Sequence, residues 1–295
     1  MAIDPTLHGD RPTAKPSDRL AAKREVKRIK NLPTLPGVVA KISRMVENPD
    51  TSAAAIGRLI AHDQVLSAKV LRMANSAFFG MSRKISSIPQ ALMILGFDVV
   101  KGLVLTSSVF DMIQKSMAGL WEHSIGCAAA AGAVAETLGR DDAEEVLVAG
   151  LLHDLGKVVL ALNLPDDLKL IQEQTRAGRM FFYEAEAAVL NFHHGEIGQW
   201  LAEHWNLPES LAEPMRLHHH PERAVICPEV TAIVHIADSV IRGWGFGYSG
   251  DALTPPISPA AWNLLGLKPD DFKTILEKLE PRLAHLSELS NISEA

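Results

Sequence analysis

The stretch LVAGLLHDLGKVVLAL, residues 147–162, decides how this chain is read. Its apolar residues run long enough for a buried helix and show no strand-like alternation. In the middle of that hydrophobic helix stand His153 and Asp154, with Gly156 and Lys157 just beyond. A carboxylate and an imidazole in an apolar interior cost several kcal/mol of desolvation unless they are paired or coordinated. A divalent cation removes that cost, because Asp supplies charge and neutral imidazole a nitrogen donor. The glycine lets another segment or a ligand come close.

Outward from this stretch the chain reads as all-α. Helical patterns fit Ser87 to Leu95, Phe97 to Ile113, His123 to Leu138, Ala143 to Leu162, Met180 to Trp205, Glu209 to His219, Glu229 to Arg242 and Asp270 to Leu286. Upstream, Val39, Ile42, Met45 and Val46 recur at helical spacing, as do Leu66, Val70, Leu71 and Ala74. No run alternates with period two between turn signals, and no repeat of a solenoid kind is visible.

Composition narrows the function classes. Lys plus Arg is 29 against 35 for Asp plus Glu, a net charge of −6, which argues against non-specific coating of nucleic acid. The basic stretch LAAKREVKRIK (residues 20–30) reads as a solvated helix face. Two cysteines, Cys127 and Cys227, make neither a disulfide framework nor a Cys-rich zinc site. The N-terminus lacks an apolar signal region, and no apolar run approaches the roughly 20 residues that span a bilayer. A cytoplasmic protein without a membrane partner is expected.

Histidine is where the chemistry concentrates. Of 12 histidines, eight fall between His153 and His235: 153, 193, 194, 204, 218, 219, 220 and 235. His62-Asp63 is an internal control, a second His-Asp pair without the flanking glycine and lysine or a nearby histidine cluster, and it reads as structural. His218 and His219 are adjacent, hence about 100° apart on an ideal helix, so both reach one site only near a helix end. Pro221 places such an end there.

These motifs carry a resemblance. LLHDLGK resembles the signature of the HD superfamily of metal-dependent phosphohydrolases. LPTLPGVV, the Asp63 region, ANSAFFG and LGFDVV are similar to the HDOD (HD-related output domain) family, in the same order, from about Leu32 to about Trp244. The resemblance implies a helical N-terminal subdomain packed on an HD-type helical core. Residues 1–18 then form a flexible arm, 19–115 the N-terminal subdomain, 116–244 the metal-binding core, and 245–295 a loop and C-terminal helix.

Position by position, the resemblance selects His123 in WEHS, the pair His153 and Asp154, Glu186 with His194, His218 and His219 before Pro221, and Asp238 in VHIADSV. His193 and His220 are left as neighbours. It implies that His123, His153, Asp154 and Asp238 hold one metal and that His194, His218 and His219 hold a second, with Asp154 bridging. Iron or manganese suits such a donor set, and zinc remains open. Seven candidate ligands exceed the four of a structural zinc site.

The function implied is signal transduction, with metal-dependent hydrolysis of a nucleotide or another phosphoester as the chemistry of the site. Asp154 and Lys157 are its candidate catalytic residues, Lys157 as a point charge for a phosphate or, alternatively, a snorkelling lysine at the core edge. HHHPERAVICPE stands where the related HD-GYP hydrolases carry Gly-Tyr-Pro, which argues against cyclic di-GMP as substrate. A non-catalytic scaffold that binds a signalling protein, with structural or sensory metal, is the alternative. A di-iron oxygenase is a third reading. The loop GWGFGYSGDALTPP after Asp238 reads as an ordinary connection, or alternatively as a flap over the site.

Overall fold

Leu120 to Thr137 forms a helix whose middle is made of alanine, Ala128 to Ala131, all fully buried. Small side chains there let other helices approach on every side. In this computed structural model the described residues are 85–96, 117–176, 180–204 and 207–293, with isolated positions between 57 and 104. The flexible arm, the basic stretch, His62-Asp63, ANSAFFG and most of the N-terminal subdomain lie outside them.

The elements are α1 (Ile88–Leu95), α2 (Leu120–Thr137), α3 (Ala143–Leu152), α4 (Leu155–Asn163), α5 (Pro165–Arg176), α6 (Phe182–Leu190), α7 (His194–His204), α8 (Glu209–Leu217), α9 (Pro228–Trp244), α10 (Pro259–Leu264) and α11 (Pro269–Ser293). A 3-10 turn, Pro221–Arg223, precedes α9. No strand occurs among the described residues. Helix α2 is the hub, packed on α3, α9 and α11, while α7 lies against α4 and α8. None of the described helices is long and apolar enough to cross a membrane.

Two helices expected to be continuous are broken. The helix over Ala143 to Leu162 ends at Leu152 and restarts at Leu155, so His153 and Asp154 form a corner and are not its middle. At Gly156 a Cβ would stand 1.9 Å from the carbonyl oxygen of His194. The chain can therefore turn against the start of α7 only with glycine there. The second break, within Met180 to Trp205, falls at Asn191, which adopts φ 62° and ends α6. Asn tolerates this left-handed conformation better than most residues. Helices α5 and α10 were not anticipated.

The start of α9 is held by Glu213 of α8. Its buried carboxylate accepts the N–H of Val225 at 3.0 Å, of Ile226 at 3.0 Å, and of Cys227. Burial raises the pKa of this carboxyl, but the three N–H donors and Arg216 outweigh it and hold it below the ordinary value. A depressed carboxyl stabilises the fold above its unfolded pKa, about pH 4, and that contribution is lost as pH falls through the folded value. Glu213→Gln is expected to lose about 1–3 kcal/mol at neutral pH and to show a shallower acid limb, read by urea unfolding across pH. Gly156→Ala is expected to cost at least about 1–3 kcal/mol by overpacking, read in the same assay.

Candidate metal centre

Five segments deliver side chains to one buried volume. His123 comes from α2, His153 and Asp154 from the corner between α3 and α4, and His194 from the first residue of α7. His218 and His219 follow the end of α8, and Asp238 lies on α9. His153, His194 and His218 are wholly buried, Asp154 and Asp238 nearly so, and His219 is partly buried. All seven sequence-selected residues are brought together.

Asp154 sits between two groups. Its Oδ2 lies 3.5 Å from His123 Nε2 and 3.4 Å from His153 Nε2. Its Oδ1 lies 3.2 Å from His194 Nε2 and 3.7 Å from His218 Nε2. Asp238 Oδ1 is 3.2 Å from His123 Nε2. In the second group, His194 Nε2 is 3.3 Å from His218 Nε2 and 3.0 Å from His219 Nε2.

The ring protons are placed by their partners. His153 Nδ1 lies 2.7 Å from the Gly150 carbonyl, and His218 Nδ1 3.0 Å from that of Pro214. A carbonyl oxygen only accepts, so both Nδ1 atoms carry the proton and both Nε2 atoms are bare. His194 Nδ1 donates likewise to Glu186 at 2.6 Å, and the His194 backbone N–H donates to the same oxygen at 3.0 Å. The bare Nε2 lone pairs thus face one another and Asp154. Asp154 Oδ1 makes no hydrogen bond despite complete burial. Lone pairs converging without a proton are repulsive, and a cation between them removes the repulsion. The donor set therefore fits divalent metal.

Charge states agree. Burial pushes the pKa of His123 down, and those of His218 and His219 well down, which keeps them neutral donors. Burial opposes ionisation of Asp154, but His153 and Lys157 outweigh it and hold it well below the usual range. At Asp238, His123 and Arg242 do the same. His194 is the exception: Glu186 and Asp154 outweigh its desolvation and raise its pKa, which favours the protonated ring until a cation displaces the proton. The neighbouring His193 is pushed by burial down to about 3 and accepts the Gly195 N–H at 3.1 Å, so it works as a neutral helix cap.

Lys157 does not snorkel. It is buried, its Nζ lies 2.6 Å from Asp154 Oδ2, and it sits 5.3 Å from the Phe182 ring centroid. Three further residues entered no sequence-based ligand set. Cys127 Sγ is 3.4 Å from His123 Nε2 and fully buried, and burial raises its pKa well above the ordinary thiol value. Its one-turn spacing from His123 in EHSIGCAAA was the available signal. Arg242, one turn beyond Asp238, places its NH1 3.8 Å from Asp238 Oδ2 and also pairs with Asp251. Asp251 in turn accepts the Phe182 N–H at 2.7 Å.

The glycine-aromatic loop is a packed connection. Gly247 has φ 72°, and a Cβ there would lie 2.2 Å from the His123 nitrogen. The Tyr248 N–H donates to the Gly119 carbonyl at 2.9 Å. The loop thereby straps the start of α2, where His123 lies.

Known proteins share this fold. A solved HDOD domain protein with unknown function from Geobacter sulfurreducens is 28% identical, with a TM-score of 0.67 over 94% of this chain and 95% of that one. A Marinobacter aquaeolei protein, provisionally designated a signal transduction protein, shares the fold at 20% identity, with a TM-score of 0.74 over 95% of this chain and 66% of its own. So does one from Shewanella amazonensis, provisionally designated a phosphohydrolase, at 24% identity and a TM-score of 0.67 over 91% of this chain and 97% of that one. An uncharacterized protein of Treponema pallidum is 30% identical over 201 residues, 65% of this chain. The chain spans only 38% of the length of that relative. The HDOD domain model matches residues 32–221, ending before Asp238. With that match over more than half its length, the chain belongs to the HDOD domain family.

Proposed function

We propose that this chain is a cytoplasmic signalling module of the HDOD family whose core holds two divalent cations, and that this centre hydrolyses a phosphoester. The observation that carries the reading is Asp154, whose two oxygens face two separate groups of bare imidazole nitrogens. His123, His153 and Asp238 would hold one ion, and His194, His218 and His219 the other, with Asp154 shared. When bound, such a pair supplies an acidified water at neutral pH and polarises a phosphoryl oxygen. Iron or manganese suits the donors, with zinc an alternative.

The protein's own groups set up the rest. Glu186 fixes the ring of His194 through both its Nδ1 and its backbone N–H, which orients Nε2 inward. Lys157 adds a buried positive charge that favours an anionic substrate such as a nucleotide phosphate. Partly buried His219 stacks on Tyr183 at 4.4 Å and is the edge from which a ligand would reach the centre.

A second reading, a scaffold that binds a signalling partner with structural cations, is favoured by the depth of burial. A cavity of about 440 Å³ lies behind α9, lined by Val240, Trp244, Ile257 and Phe272, and not at the histidines. The two readings part on activity.

Elemental analysis of the full chain purified without chelator is expected to find about two metals per chain. Asp154→Ala is expected to empty the centre and abolish hydrolysis of an aryl phosphodiester. Retained metal in that variant would overturn both readings, and full occupancy without hydrolysis would leave the scaffold. Glu186→Gln is expected to weaken metal affinity about 10–100-fold, measured by competition with a chromogenic chelator.

A further inference from the structure

We propose that Cys127 is itself a ligand, supplying a thiolate to the cation held by His123, His153 and Asp238. This rests on the cation-binding reading above and specifies the donor chemistry of one half of that centre.

The geometry is that of a coordination shell. Around one ion, nitrogen and oxygen ligands lie at about 2.0–2.2 Å and sulfur at about 2.3 Å, so tetrahedral neighbours stand about 3.3–3.5 Å apart. His123 Nε2 is 3.3 Å from His153 Nε2, 3.2 Å from Asp238 Oδ1 and 3.4 Å from Cys127 Sγ. All four donor atoms lie within 4.8 Å of one another, and all four residues are buried. Four buried donors within that span can share one ion, with the shared Asp154 as a fifth ligand. The buried Asp154 Oδ1 left without a hydrogen bond faces the adjoining group at His194 and His218, and marks the centre as a whole as short of positive charge.

Local structure aims the sulfur inward. Cys127 and His123 are one helical turn apart on α2, so their side chains share a face. Gly150 of α3 lies against the Cys127 carbonyl, which brings α3 close to this turn of α2. Without a cation, burial and the carboxylates of Asp238 and Asp154 keep the Cys127 thiol protonated, so ligation requires the bound cation to displace that proton. As the sulfur–cation bond forms, the S–H bond breaks and its proton leaves to solvent.

A thiolate changes which metal the site keeps. Soft sulfur favours zinc, cobalt or ferrous iron over manganese or magnesium. The half of the centre built on His194, His218 and His219 has no sulfur, so the two positions would differ in preference.

The test is cobalt. Full-chain protein stripped with chelator and reloaded with Co²⁺ is expected to show a sulfur-to-cobalt charge-transfer band in the near ultraviolet. Cys127→Ser is expected to lose the band, and Cys227→Ser, which alters the only other thiol, to keep it. Cobalt bound by the wild type without the band overturns Cys127 ligation and leaves the cation centre standing. A wild-type chain that binds no cobalt overturns both. Because the wild-type spectrum is itself decisive, misfolding of the serine variant would not rescue the proposal.

Discussion

Electrostatic satisfaction in a dry interior is the constraint on which the rest of this structure depends. Imidazole nitrogens whose protons are already committed to Gly150, Pro214 and Glu186 point their lone pairs at one another and at two carboxylates. Such an arrangement is repulsive by itself, and a structure assembled around it requires positive charge at its centre. Lys157 and Arg242 supply part of that charge from the protein. The remainder matches the chemistry of divalent metal.

The scaffold follows from the same requirement. Helix α2 needs a small-residue middle so that α3, α9 and α11 can approach closely enough to bring His123, the His153-Asp154 corner and Asp238 together. Gly156 allows the backbone of α7 to touch α4, which seats His194 over Asp154. Glu213 pins the entry of α9, and the loop at Gly247 pins the entry of α2. Each contact lies near the centre without donating to it, so the position of the donors depends on packing more than on the donors themselves.

Much of this was legible in the residues. The apolar stretch around His153, the histidine excess toward the C-terminal half and the helix end at Pro221 point to an all-α chain with a converging His-Asp cluster. The chain does place Asp154 between two histidine groups. Less was legible at the corners. Periodicity carried a helix straight through His153 and Asp154 and another through Asn191, because hydrophobic spacing reports which face is buried and not where the backbone turns. Cys127 was read only for disulfide and zinc-finger arithmetic, which ignores a single sulfur one turn from a histidine. Arg242 and Asp251 escaped notice because their pairing joins residues on either side of a loop.

The linear order of residues by itself determined the helical class and the HDOD resemblance, which depend on side-chain type and local spacing, and the resemblance in turn implied the seven candidate donors. Only the tertiary structure decided that Cys127 stands beside His123, that Lys157 is sealed inside against Asp154, and that the glycine loop is a strap. The sealing and the strap depend on distances between segments far apart in the chain, which are set by helix packing around α2 and by the close backbone approach at Gly156.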